Sequence, residues 1–328
     1  MRSTETVYFD FLIIGGGPAG IAAAIQAARL GLSTTILERD RLGGQAVAAP
    51  WIENYPGFPK GVSGKELMAL FVEQLRKWSV PIIYEEAKHI KKIPPRPPLQ
   101  KGGTTRYALP LQNKSATNLF PPLKKGGQGG FIVNNVEAKC LLLALGLSPK
   151  LIRIKGEIPY GDPAHVDHTG KDVLVVGSGD AAFDLAWSFA AKARKVTVGM
   201  RSEAPKALPQ LVERALSRDV RVQTNWSHKD SSYDVIISCI GKEARHPLID
   251  KLGKVFGPFE LKPVEVANIP GLFLAGDLCR GLDRHIAIAA GDGIATAQAA
   301  YRYLKTNISH QDTKPQRESI LVKTNNGF

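Results

Sequence analysis

The stretch DFLIIGGGPAGIAAAIQAARLGLSTTILE, Asp10 to Glu38, decides the fold. Asp10–Ile14 reads as a buried strand, Ala19–Leu30 as an Ala-rich helix and Ser33–Leu37 as a second strand. Between the first strand and the helix stands Gly15-x-Gly17-x-x-Gly20. The first glycine permits the tight turn, the second lets the backbone approach a pyrophosphate, and the third lets helix and strand pack closely. The helix N-terminus adds amide donors and the positive end of its dipole. Glu38 closes the second strand 23 residues after Gly15. A carboxylate there can accept hydrogen bonds from both ribose hydroxyls of an adenosine.

Working outward, the same order recurs 162 residues later, with Asp172–Val176, Ala181–Ala191 and Lys195–Val198 around Gly177-x-Gly179-x-x-Ala182. The offset places Met200 where Glu38 stands in the first unit, followed by Arg201. Without a carboxylate for a 2′-hydroxyl, this site does not read as NAD-selective. Arg201 can instead meet a 2′-phosphate, which favours NADPH, although Glu203 lies beside it. Two outcomes stay open. Gly177, Ser178, Gly179, Asp180, Ala181, Ala182 and Arg201 form a working NAD(P) site, or the unit is kept as a scaffold. Either way the two units predict an α/β fold of two Rossmann-like domains, three-layered, with parallel sheets.

The 328 residues suit two domains, and 44% hydrophobic against 22% charged composition excludes global disorder. No apolar run reaches 18 residues, so no membrane partner is expected. The first nine residues lack a basic start followed by an apolar stretch, which argues against a secretory leader. Cys140, Cys239 and Cys279 have neither CxxC nor metal-ligand spacing, and a reducing cytoplasmic location is the expectation. His165 and His168 on a Pro/Gly-bounded loop do not amount to a metal set, and none is expected.

The net charge of +13 invites a nucleic-acid partner, but its location argues otherwise. Residues 88–125 hold nine basic side chains and no acidic one, and the tail from 305 adds two net charges. The remaining chain is close to neutral. From Pro94 to Gly130 the segment repeats Pro-Pro-Leu-(Gln/Lys)-Lys-Gly-Gly. Proline cannot donate to a ladder and Gly-Gly resists ordering, so a flexible hairpin excursion is expected at about 91–130. Strand-like Pro81–Tyr84 and Phe131–Val133 flank it. Residues 307–328 read as a frayed tail.

These motifs together resemble the low-molecular-weight thioredoxin reductase family of FAD/NAD(P)-binding flavoproteins. The resemblance rests on Gly15–Gly20 with Glu38 and Arg39, on Gly43-Gly44-Gln45 and on Ile52-Glu53-Asn54-Tyr55-Pro56-Gly57-Phe58. It rests also on Ala275-Gly276-Asp277 and on Arg284-His285-Ile286 with Ala290-Gly291-Asp292-Gly293. It implies an FAD domain at 1–155 and 244–306, with an NAD(P)-binding-like domain at 156–243 inserted in it. It implies FAD contacts from Gly15, Gly17, Pro18, Ala19, Gly20, Glu38, Arg39, Gly44, Gln45, Asn54, Gly276, Asp277, Arg284, His285 and Ile286. His285 has a tuning role on the flavin or simply caps its helix.

The departures bear on chemistry. The family carries a CxxC pair around its second fingerprint, whereas Gly156 to Gly170 contains no cysteine. Thiol–disulfide exchange needs a thiolate that attacks and a second that resolves. Leu145 replaces a threonine usual in the family, and His285 stands where glutamine is common. The expectation is therefore an FAD-dependent, NADPH-linked oxidoreductase without a dithiol centre and with no catalytic side chain, since the flavin carries the chemistry. Its expected partners are a second copy of the chain and an electron carrier such as ferredoxin or flavodoxin, or a small oxidant. The rivals are a flavin-binding sensor or scaffold and a direct thiol reductase using Cys279.

Overall fold

A strand that is apolar along most of its length is stable only with both faces covered. Val7–Ile14 (β1) meets that condition, lying between parallel β2 (Thr34–Glu38) and β6 (Val136–Leu143). Phe11 and Ile13 enter one core and Leu12 and Ile14 the other, as the period of two requires. The computed structural model describes residues 7–94, 129–160, 166–227, 232–244, 246–256, 260–266 and 269–312. Most of the Pro94–Gly130 excursion, His165 and the tail from 313 lie outside the described residues.

The first sheet continues through β3 (Ile82–Tyr84) beside β2, and through β15 (Leu272–Leu274) and β14 (Val264–Glu265) beyond β6. Its order is β14-β15-β6-β1-β2-β3, parallel except for β14. One face carries α1 (Pro18–Arg29), α2 (Gly64–Arg76) and the long α6 (Ile286–Asp312). Gly293 allows α6 to touch α1, since a Cβ there would stand 2.1 Å from the Ala19 carbonyl oxygen. Ser63 and Glu66 form a capping box that starts α2, worth about 1 kcal/mol. The other face is covered by α5 (Pro247–Phe256) and by an antiparallel hairpin of β4 (Ile90–Ile93) and β5 (Gly130–Val133). Asp10 and Lys139 pair at 3.0 Å across β1 and β6, both almost fully buried.

The chain leaves this sheet after β6 and returns at β14. Between them β9 (Asp172–Val176), β10 (Lys195–Gly199), β11 (Arg221–Gln223), β12 (Val235–Ser238) and β8 (Glu157–Pro159) form a second parallel sheet, ordered β11-β10-β9-β12-β8. α3 (Asp180–Phe189) and α4 (Pro209–Leu216) cover one face, and Trp226 packs with Leu174, Val176 and Ile236 on the other. The two crossing segments pair as a short antiparallel ribbon, β7 (Ser148–Pro149) with β13 (Lys242–Glu243).

Three local expectations change. β1 begins at Val7 rather than Asp10, because Val7–Phe9 find partners in Val136–Ala138. The strand before the excursion is β4 rather than Pro81–Tyr84. Its sequence, Ile-Lys-Lys-Ile, buries its two isoleucines and exposes its lysines, a pattern too short to stand out. Residues 307–312, expected to belong to a frayed tail, instead continue α6 as far as Asp312.

Candidate functional site

The strand ends of the first sheet open onto a cleft of about 620 Å³ whose far wall belongs to the second unit. Gly15 turns the chain there with φ +104°, and a Cβ on it would stand 2.4 Å from the Ala144 carbonyl oxygen. Only glycine tolerates both conditions. Nothing lies within 4 Å of a Cβ built on Gly17, which leaves that backbone open to a ligand. Gly20 instead faces inward, where a Cβ would meet the Gly15 carbonyl oxygen at 1.9 Å. The Glu38 carboxylate accepts from the Gly16 amide at 2.6 Å and the Asp40 amide at 2.9 Å, so its orientation over the turn is set.

The rest of the first unit's wall comes from three separate places. Gln45, in the 3-10 turn Gly44–Ala48, donates through Nε2 to the Leu147 carbonyl oxygen, while its Oε1 is buried with no hydrogen-bond partner among the described residues. A buried acceptor of this kind needs a donor, and a ligand in the cleft can supply it. Asn54 Nδ2 and His285 Nδ1 lie 3.1 Å apart. At the end of β15 the Gly276–Cys279 turn is tied to α6, because Asp292 accepts from the Gly276 amide at 3.2 Å and from Arg280 Nε at 2.9 Å. Burial raises the Asp277 carboxyl above its ordinary range, against the pull of Lys242, Arg284 and His285.

Of the cofactor residues expected from sequence, Gly15, Gly17, Pro18, Ala19, Glu38, Arg39, Gly44, Gln45, Asn54, Gly276, Asp277, Arg284, His285 and Ile286 line this one cleft. Gly20 does not, consistent with a packing glycine. The second set is divided. Asp180 and Ala181, in the first turn of α3, reach the same cleft, while Gly177, Ser178, Gly179, Ala182 and Arg201 are not on its wall. The second turn is nevertheless built like the first. A Cβ on Gly177 would stand 2.5 Å from the Cys239 carbonyl oxygen, and Gly179 is open. The loop after β10 folds back on it: Lys206 and Ala207 donate backbone N–H to the Ser178 carbonyl, and Leu208 donates to Asp180. Met200 is buried and Arg201 exposed.

Sequence reasoning missed Trp51, Tyr160, Asp184, Arg214 and Lys242, which also line the cleft. None belongs to a spaced motif. Arg214 on α4 donates to Asp184 at 2.6 Å and to Glu53 at 3.1 Å. It also lies 4.7 Å from the Trp187 ring centroid. Burial, with Glu53 nearby, outweighs Arg214 and lifts Asp184 to about 6. Lys242 Nζ sits 4.9 Å from the Tyr160 ring centroid.

All three cysteines are free thiols, and none is on the cleft wall. The expected reach of Cys279 towards the cleft is not seen: its side chain packs with the second core, and Sγ donates to the Gly276 carbonyl at 3.3 Å. Burial pushes both Cys239 and Cys279 up to about 12, which leaves little thiolate at neutral pH. Among the described residues no three His, Cys, Asp or Glu gather as a metal set, and His168 stacks on Phe189 at 4.3 Å. Among them, too, no helix is long and apolar enough to cross a membrane.

The family model for pyridine nucleotide-disulphide oxidoreductases matches residues 9–302. A thioredoxin reductase of Mycolicibacterium smegmatis is 27% identical over 338 aligned positions, covering 93% of this chain and 99% of that protein. A bifunctional thioredoxin reductase/thioredoxin of Mycobacterium leprae (strain TN) is 26% identical, covering 96% of this chain and 70% of its own length. The crystal structure of Lactococcus lactis thioredoxin reductase in its FR conformation shares the fold, with a TM-score of 0.69 at 22% identity over 91% of this chain and 99% of that one. The chain therefore belongs to the pyridine nucleotide-disulphide oxidoreductase family, as a thioredoxin-reductase-like member with two dinucleotide-binding units.

Proposed function

We propose that the protein is an FAD-dependent oxidoreductase that passes electrons between a nicotinamide nucleotide and an acceptor without a dithiol centre. One observation carries this reading. A single cleft is shared by the glycine turn of the first unit and the first turn of α3 in the second, and none of the three cysteines lies on its wall. Thioredoxin-reductase-like members of the family use FAD and NADPH.

The residues fit FAD. The open backbone at Gly17 and the N-terminus of α1 suit a pyrophosphate, and Glu38 suits a ribose. The buried, unpartnered Gln45 Oε1 suits a ring N–H, and Asp277 suits a hydroxylated chain. When bound, FAD supplies the electron-carrying ring. The protein holds it, excludes water through the facing unit, and sets the charge around it with Asp277, Arg284 and His285. On the nucleotide side, Gly177, Ser178, Gly179 and Ala182 would hold NADPH, with Arg201 at the 2′-phosphate. A homodimer and an acceptor such as ferredoxin, flavodoxin or a small oxidant complete the proposal.

A second reading takes the relatives' names at face value and makes a thioredoxin-type protein the partner. Cys239 favours it, standing directly behind the second glycine turn. Its thiol is half-buried and its surroundings hold it protonated, which argues against attack on a disulfide.

The deciding experiment is anaerobic reduction of the purified, FAD-loaded protein by NADPH or NADH, followed by addition of ferredoxin, flavodoxin, a quinone or oxidised thioredoxin. The expected result is flavin bleaching by NADPH and reoxidation by a carrier or quinone, with thioredoxin inert. Reoxidation by thioredoxin that disappears when Cys140, Cys239 and Cys279 are all replaced by serine overturns the proposal.

A further inference from the structure

Lys242 lies outside every motif in the chain. It sits on β13, in the ribbon that crosses between the two units, and lines the cleft near Asp277. Burial works against its charge, while Asp277 beside it supports the ammonium. Three basic groups surround Asp277, and two of them are engaged. Arg284 donates Nε to the Gly281 carbonyl, and His285 meets Asn54. Lys242 Nζ donates no hydrogen bond and forms no ion pair with any described residue; it lies 4.9 Å from the Tyr160 ring centroid. An amphipathic lysine normally keeps its head in water. This one points into the cleft that takes the cofactor, with Tyr160 behind it and Asp277 nearby but not ion-paired to it.

Resting on the FAD reading above, we infer that Lys242 supplies the positive charge that answers the negative charge gained by the flavin ring when it is reduced. Transfer of a hydride, two electrons with one proton, converts NADPH and FAD into NADP+ and anionic reduced FAD. The ring gains one negative charge in that step and the protein needs no other reactant. An unpaired ammonium on the cleft wall stabilises the product more than the oxidised ring, which carries no such charge. Because β13 belongs to the ribbon joining the two units, this charge comes from the second unit to a ring held by the first.

Sulfite provides a test that does not depend on turnover. It adds through its sulfur lone pair to the oxidised ring and leaves the same negative charge there. FAD-loaded wild type, Lys242→Met and Lys242→Arg are titrated with sulfite and followed by loss of flavin absorbance. Lys242→Met is expected to weaken sulfite binding about tenfold or more, the scale of one charge interaction across a partly buried cleft, with Lys242→Arg restoring most of it. Loss of FAD from Lys242→Met with retention in Lys242→Arg supports the same role. Unchanged sulfite affinity in a fully loaded Lys242→Met protein overturns this inference while leaving the FAD reading intact. An equal loss of sulfite affinity in both variants, or loss of FAD from both, overturns it too, because shape rather than charge would then be required. A wild type that takes up no FAD removes the FAD reading itself.

Discussion

Arg214 and Glu53 form an ion pair at 3.1 Å that joins α4 of the second unit to the segment following Gly44–Ala48 in the first. The same guanidinium holds the buried Asp184 at 2.6 Å. The two partners differ in burial, with Glu53 62% and Asp184 14% exposed. That difference sets the energetics. Glu53→Gln is expected to cost less than about 1 kcal/mol of stability, as for exposed pairs. Arg214→Met strands a buried carboxylate and is expected to cost about 3 kcal/mol. Urea unfolding of the two variants checks this, and equal losses would contradict the assignment.

Asp184 also makes a prediction about pH. Its pKa in the folded protein is about 6, above the usual 3.8, so folding favours the protonated form. The associated stability is present in full below about pH 4 and lost as pH rises through 6, to at most about 3 kcal/mol. The stability of wild type relative to Asp184→Asn should therefore fall between pH 4 and 6.5 and then level off. Parallel urea midpoints across that range would rule it out.

Glu38 is held by the Gly16 and Asp40 amides before any ligand arrives. Glu38→Ala should weaken FAD binding by roughly 1–3 kcal/mol, the loss expected when a buried hydrogen-bonding partner is removed. The apparent Kd for FAD, measured by fluorescence quenching on reconstitution, reports this. Wild-type affinity in the variant would show that the ribose is held elsewhere.

Ile93 pairs with Gly130, so the chain enters and leaves the Pro94–Gly130 excursion side by side. Replacing residues 94–129 with Asn-Gly should close the hairpin as a two-residue turn and leave flavin content and the melting midpoint nearly unchanged. Insoluble or colourless protein would show that the segment is needed for folding.

Much of the first site was legible because its chemistry is local. A glycine turn, a helix start and Glu38 fall within 29 consecutive residues, and no other residue type fits Gly15 against the Ala144 carbonyl. The returning Ala275–Asp277 and Arg284–Ile286 segments were readable only through a family pattern, since nothing local says that β15 lies beside β6. β4 was not legible, because the four residues Ile-Lys-Lys-Ile gain their meaning only from pairing with β5 across the excursion.

The sequence by itself determined two βαβ units, the residue types at both glycine turns and the absence of a spaced cysteine pair, all properties of short windows of chain. Tertiary structure alone decided that both units face one cleft, that Gln45 Oε1 is left without a partner, and that Asp184, Arg214 and Glu53 meet. It decided as well that Lys242 turns inward beside Asp277. These depend on burial and on contacts between residues tens to hundreds of positions apart. The cost of desolvating a charge, unlike the reach of a glycine turn, is set by which distant surface covers it.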